Sequence, residues 1–99
     1  MSEQENLRAV AARGDRARRF LEDETFRDAV KRVKERIYGD WCNTRPDDRN
    51  LREQLYAQGK ALDGIVLELT KESDAGTVAN AMLKQYERRE QQKRGQGKG

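Results

Sequence analysis

The sequence predicts an all-α protein, an antiparallel helical hairpin with a weaker third helix and flexible basic ends. Three observations carry that expectation. Phe26, Val30, Val33, Ile37 and Trp41 recur at steps of 4, 3, 4 and 4, which places them on one helical face. Leu51, Leu55, Leu62, Ile65 or Val66, and Leu69 repeat in the same way further along. Between the two stripes, Trp41–Asp48 gathers the single Trp, the single Cys and the single Pro of the chain, and the fold is expected to turn there.

Composition narrows the class. Ninety-nine residues allow one small domain. Charged residues make up 39% and apolar residues 34%, with a mean hydropathy of -1.17. That balance lies near the disordered range, but the apolar residues are clustered at helical spacing, so a short helical core with polar extensions fits both facts. No apolar run is long enough to span a membrane. Charges run through the first twenty residues without an apolar stretch, so no secretory signal is expected. One cysteine permits no internal disulfide, and the expected compartment is the reducing cytoplasm of the producing cell.

Taken in order, residues 1–22 offer only Leu7, Val10 and a few alanines before Gly14 and a cluster of arginines. Their apolar face is thin, and a mobile basic segment or short helix is expected. A helical domain over 23–91 follows. Its first helix, about 23–41, starts at Asp23, whose carboxylate can cap free N–H groups, with Glu24 favouring the positive end of the helix dipole. Pro46 stops further helix and holds Arg45 extended. Asp47 or Asp48 is then expected to cap a second helix over about 48–72. Gly59 and Gly64 sit within its apolar pattern and suggest close approach of another backbone, or else simple tolerance of two poor helix formers. Ser73-Asp74 and Ala75-Gly76 signal a further turn, and Val78, Met82 and Tyr86 a third helix over about 75–91. Residues 92–99 contain no apolar side chain and are expected to form a disordered basic tail.

Two helices cover only the seam between them. The stripes here are wider than one seam, so the third helix, another copy or a different protein must complete the core. The residues expected at such an interface are Phe26, Val30, Ile37 and Trp41 on the first helix, and Leu55, Leu62, Ile65 and Leu69 on the second. Asn43, Thr44 and Arg45, left without a structural duty in the turn, are the expected exposed loop contacts.

Chemistry has little to work with. There is no histidine, the usual general base and metal ligand. Cys42 lacks a basic partner and reads as a small packing residue beside Trp41. Asp47-Asp48 lacks the spacing of a calcium loop, and the glycines form no phosphate-binding loop. The chain is expected not to be an enzyme, and no catalytic, cofactor-binding or metal-ligating residues are assigned.

Charge points elsewhere. Residues 1–21 hold five Arg against Glu3, Glu5 and Asp15, and residues 75–99 hold six basic groups against Glu87 and Glu90. The segment between is slightly acidic, with ten basic and thirteen acidic groups. Arg13, Arg16, Arg18, Arg19, Arg88, Arg89, Lys93 and Arg94 are therefore the candidates for phosphate contacts. Glu53, Asp63 and Glu68 argue against a basic recognition helix. A small nucleic-acid-associated packaging or regulatory factor is the alternative reading.

The order of features from about residue 20 to 70 resembles a group of small phage-encoded proteins. The matching positions are Leu21-Glu22-Asp23, Trp41, Asn43-Thr44-Arg45-Pro46, Asp48, Arg52-Glu53 and Ala61-Leu62-Asp63, about half of the chain. One Pro stands in the loop where such proteins often have two, and the pattern leaves the ends uncovered. The resemblance implies a product of a virion structural or head-assembly gene cluster, working through helix-mediated contacts. The expected partners are the chain itself, as a homo-oligomer that completes the core, other virion proteins, or both, with nucleic acid possible through the basic ends. The expected location is the cytoplasm of the bacterial host, with incorporation in the virion as the open alternative.

Overall fold

The computed structural model of the protein describes residues 2–96. It contains three helices, α1 (Glu3–Glu22), α2 (Glu24–Cys42) and α3 (Arg49–Gln96). The chain is elongated, 79 × 25 × 18 Å, with a radius of gyration of 21.8 Å; a compact chain of this length would have about 13 Å. The long axis is set by α3, whose 48 residues rise about 72 Å.

Each junction has a local cause. Ser2 opens α1, its Oγ accepting from the Glu5 N–H at 3.2 Å, with Glu3 and Glu5 in the first turn. Asp23 both ends α1 and starts α2. Its extended backbone (φ -67°, ψ 125°) interrupts the helix, its N–H donates to the Phe20 carbonyl at 3.2 Å, and its Oδ1 accepts from the Phe26 N–H at 2.8 Å. The capping role expected of Asp23 is thus present in the structure. Phe20 and Phe26 meet edge-on across the break, centroids 6.2 Å apart.

The turn after α2 differs in detail from expectation. Asp48 stands immediately before α3, as expected of a cap, but its carboxylate bonds the turn. The Asp48 carboxylate turns back and accepts from the Arg45 N–H at 3.0 Å, while its carbonyl accepts from the Arg52 N–H at 3.0 Å and begins α3. The side chain closes the turn and the main chain starts the helix.

Contacts fix how the helices lie. Gly14 meets Gly76, Lys34 pairs with Asp63 at 3.4 Å, and Thr44 bonds Arg52. As residue number rises along α1 and α2, the contacting position on α3 falls. The less exposed positions of α3 are Arg52, Leu55, Gly59, Leu62, Val66, Leu69, Ser73, Gly76, Ala79, Leu83 and Tyr86, with Thr70 beside Leu69. Thr70 aside, they alternate at steps of 3 and 4 with one extra step of 3 at Gly76–Ala79, a pattern that keeps one seam facing a partner helix.

The densest packing falls at a different place from the expected one. It lies between α1 and the C-terminal part of α3, where Ala11, Gly14 and Ala17 face Gly76 and Ala79, all of them buried. Side chains this small let two backbones come close, so contact comes from the main chains themselves. Residues 1–22, expected as a mobile segment or short helix, form a twenty-residue helix held in this way. The two helices expected over 48–72 and 75–91 are one. Gly76, read as a turn, lies inside α3 against Gly14, and the seam of Leu69, Ser73, Gly76 and Ala79 runs through the expected break. Packing there outweighs the low helix propensity of glycine. Of the expected disordered tail, residues 92–96 continue α3, and residues 97–99 lie outside the described residues.

Gly59 and Gly64 do not mark a close approach. A Cβ built on either would meet nothing within 4 Å. The close approach belongs to Gly14 and Gly76.

Candidate interaction surface

α2 contributes no buried residue at all. Phe26, Val30 and Ile37 turn toward α3 but are only half-buried, and Trp41 remains 38% exposed. Of the expected interface residues on α3, Leu55 is buried at 4%, Leu62 and Leu69 are half-buried, and Ile65 is 56% exposed. Leu55 therefore already serves the chain's own seam, while Ile65 stands off it. Sequence periodicity placed all eight on helices but does not separate these two environments.

The half-covered stripe forms an open apolar groove between α2 and the N-terminal part of α3. Its lining includes Ile37, Tyr38, Trp41, Leu55, Tyr56 and Gly59, with Lys34, Lys60 and Asp63 at the rim. A second hollow, lined by Leu21, Phe26, Val30 and Val66, adjoins it through Lys34. Tyr38 and Tyr56, 71% and 62% exposed, are part of this face and were not among the expected contacts. They flank the seam by one position each, which a strict reading of the stripe passes over; Lys60 Nζ lies 5.6 Å from the Tyr56 ring centroid.

The expected loop contacts separate. Asn43 and Arg45 are exposed. Thr44 has a structural duty after all. Its Oγ1 donates to the Trp41 carbonyl at 2.7 Å and accepts from Arg52 Nε at 2.8 Å, and the Arg52 guanidinium lies 5.0 Å above the Trp41 ring. Cys42, expected to pack beside Trp41, is exposed, because the seam contact is made by Trp41 and Thr44 on either side of it.

The basic residues of the two ends share one half of the rod, because α1 lies along the C-terminal part of α3. Arg13, Arg16, Arg18, Arg19, Arg88, Arg89, Lys93 and Arg94 are all exposed. Arg18 and Arg19 both bond Asp15 of their own helix, the latter at 3.2 Å. Arg89 lies 5.9 Å from the Tyr86 ring. Near the same end, the Glu3 carboxylate beside the Tyr86 hydroxyl holds the phenol pKa above its ordinary value, helped by partial desolvation and opposed by Arg89.

Among the described residues no group of three or more Cys, Asp or Glu is placed to hold a metal ion, and no helix is long and apolar enough to cross a membrane. No protein-family model matches the chain, and neither a curated protein nor a solved structure matches it significantly.

Proposed function

We propose that this chain is a phage virion structural or assembly protein that acts by helix-mediated protein–protein contact as an oligomer, not by catalysis. The carrying observation is the absence of any buried residue on α2, a helix whose apolar stripe includes Phe26, Val30, Val33, Ile37 and Trp41. An apolar face of that extent left only half-covered is a cost to a monomer and marks a contact surface. The descending contacts along α3 support an antiparallel hairpin, with α1 and α2 together forming one arm. Such a rod displays a long helical face suited to docking in a larger assembly. The phage assignment rests on the resemblance over residues 20–70, and it puts the working chain in the host cytoplasm and in the particle. Mass spectrometry of purified particles tests it: stoichiometric copies are expected, and absence from both particles and assembly intermediates sinks the reading.

One observation favours a second reading, contact with packaged nucleic acid. Basic groups distant in sequence share one half of the rod, where they can line up along phosphates. Gel shifts across a salt series separate the readings. Replacing Arg88, Arg89 and Arg94 by Gln should reduce the salt dependence by about one counterion for each arginine that meets a phosphate. No shift at low salt removes this reading.

A further inference from the structure

The groove between α2 and α3 has a specific shape as well as an apolar lining. Its floor includes Gly59, above which a Cβ would meet nothing within 4 Å. One turn before it stands Tyr56, a large ring left 62% exposed. A hole and a projecting ring three residues apart on one helix face form a self-complementary pair. A two-fold axis passing between positions 56 and 59 of α3 places the ring of each copy in the hole of the other, the condition an isologous interface must meet.

Area and charge point to the same occupant. The chain exposes 8280 Å², against about 5,800 Å² for a compact monomer of its mass. The excess, roughly 2,500 Å² per chain, belongs to the rod as a whole, and covering about half of it on each of two copies already reaches the total that a stable dimer removes from water. The half of the rod that carries the groove, residues 23–69, holds nine basic and ten acidic groups. Two such halves approach without net repulsion, whereas a strongly charged partner such as nucleic acid gains little there. The basic half of each rod is left at opposite poles of the pair.

We infer that the α2–α3 groove seats a second copy of this chain in a two-fold dimer, with Tyr56 of each copy lying over Gly59 of the other. The inference deepens the assembly reading by naming the partner at that surface. Its failure is distinguishable from failure of that reading, which is tested in purified particles, since a chain that stays monomeric in solution can still be found there, associated only within the assembly.

The test uses the full chain and its only tryptophan, Trp41, which lines the groove. Light scattering and sedimentation over a dilution series should give twice the 11.5 kDa chain mass, with Trp41 emission moving to the red as the dimer dissociates. Gly59→Arg fills the hole and puts a charge at the dimer axis. It should weaken self-association by at least about 100-fold while leaving far-ultraviolet helicity intact. Gly64→Arg, also with open space around it but outside the groove lining, should remain dimeric and controls for helix effects. A wild-type chain that stays monomeric at about 100 µM, whether or not another protein later binds it, overturns the inference, because dimers that matter form well below this. So does a dimer that Gly59→Arg leaves unchanged, since the interface would then lie elsewhere.

Discussion

Gly14 and Gly76 lie back to back where α1 crosses α3. A Cβ on Gly14 would stand 2.5 Å from the Gly76 Cα and 2.7 Å from the Glu72 carbonyl oxygen; one on Gly76 would stand 2.7 Å from the Gly14 Cα. The obstructing atoms are all main chain, so no side chain can move aside. Alanine raises helix propensity by about 1 kcal/mol, but forcing two packed backbones apart costs about 1–3 kcal/mol. Gly14→Ala and Gly76→Ala should therefore destabilise, Gly14→Ala more because three backbone atoms lie within 3.0 Å of its Cβ. Gly39→Ala and Gly64→Ala, with nothing within 4 Å, should stabilise instead. Thermal melts of the four variants give the signs, and a stabilised Gly14→Ala would refute the close crossing.

Asp23 is the one residue that keeps α1 and α2 apart. Asp23→Ala removes the 2.8 Å bond to the Phe26 N–H and favours a continuous helix through the break. Loss of a carboxylate cap costs about 1 kcal/mol. The expected outcome is a lower melting temperature with unchanged or slightly higher helicity, since the added helical turn draws α2 off α3. Asp23→Asn, which keeps the acceptor, should recover most of the loss; if it behaves as the alanine variant does, capping is not the cause.

How much of this was legible depends on side-chain size. α2 could be read within a residue or two because branched and aromatic residues at seam spacing leave a strong periodic signal. α1 left almost none, since Ala11, Gly14 and Ala17 bury little apolar area and resemble a poor helix. The helical glycines mark the limit. Gly76 continues the step of seven from Leu62 and Leu69, so its place on the seam was available, while Gly64 is off that line. Gly59 shares the seam yet faces open space, because α2 lies less closely on α3 there than α1 does further along. Separation between helices is a tertiary property, and periodicity alone carries no record of it.

Thr44 links the turn to both helices. Thr44→Val keeps the shape and removes the hydroxyl that joins the Trp41 carbonyl to Arg52 Nε, for a loss of about 1 kcal/mol. Arg52→Lys keeps the charge but loses the planar group above the Trp41 ring. Both variants should shift Trp41 emission to the red under conditions where the wild type and the variants share one association state. Unchanged emission in Arg52→Lys would show that the guanidinium does not cover the ring in solution.

The Glu3–Tyr86 contact makes the far end of the rod sensitive to alkaline pH. Tyr86 is raised above its ordinary pKa chiefly by the Glu3 carboxylate beside it, which favours the protonated phenol. The folded chain thus holds this proton more tightly than the unfolded chain does. The associated stability is whole below the ordinary tyrosine range, about pH 10, and is lost as pH rises through the raised pKa. Tyr86→Phe should consequently lose stability less steeply than the wild type on the alkaline side, and the two should run parallel at neutral pH. Ultraviolet titration of tyrosinate, taken as the wild-type curve minus that of Tyr86→Phe, isolates this phenol from Tyr38 and Tyr56. Its midpoint should lie above the ordinary value and move back toward it in Glu3→Gln, which removes both the strong acceptor and the negative charge. A difference curve centred at or below the ordinary value would mean that α1 does not hold Glu3 against Tyr86.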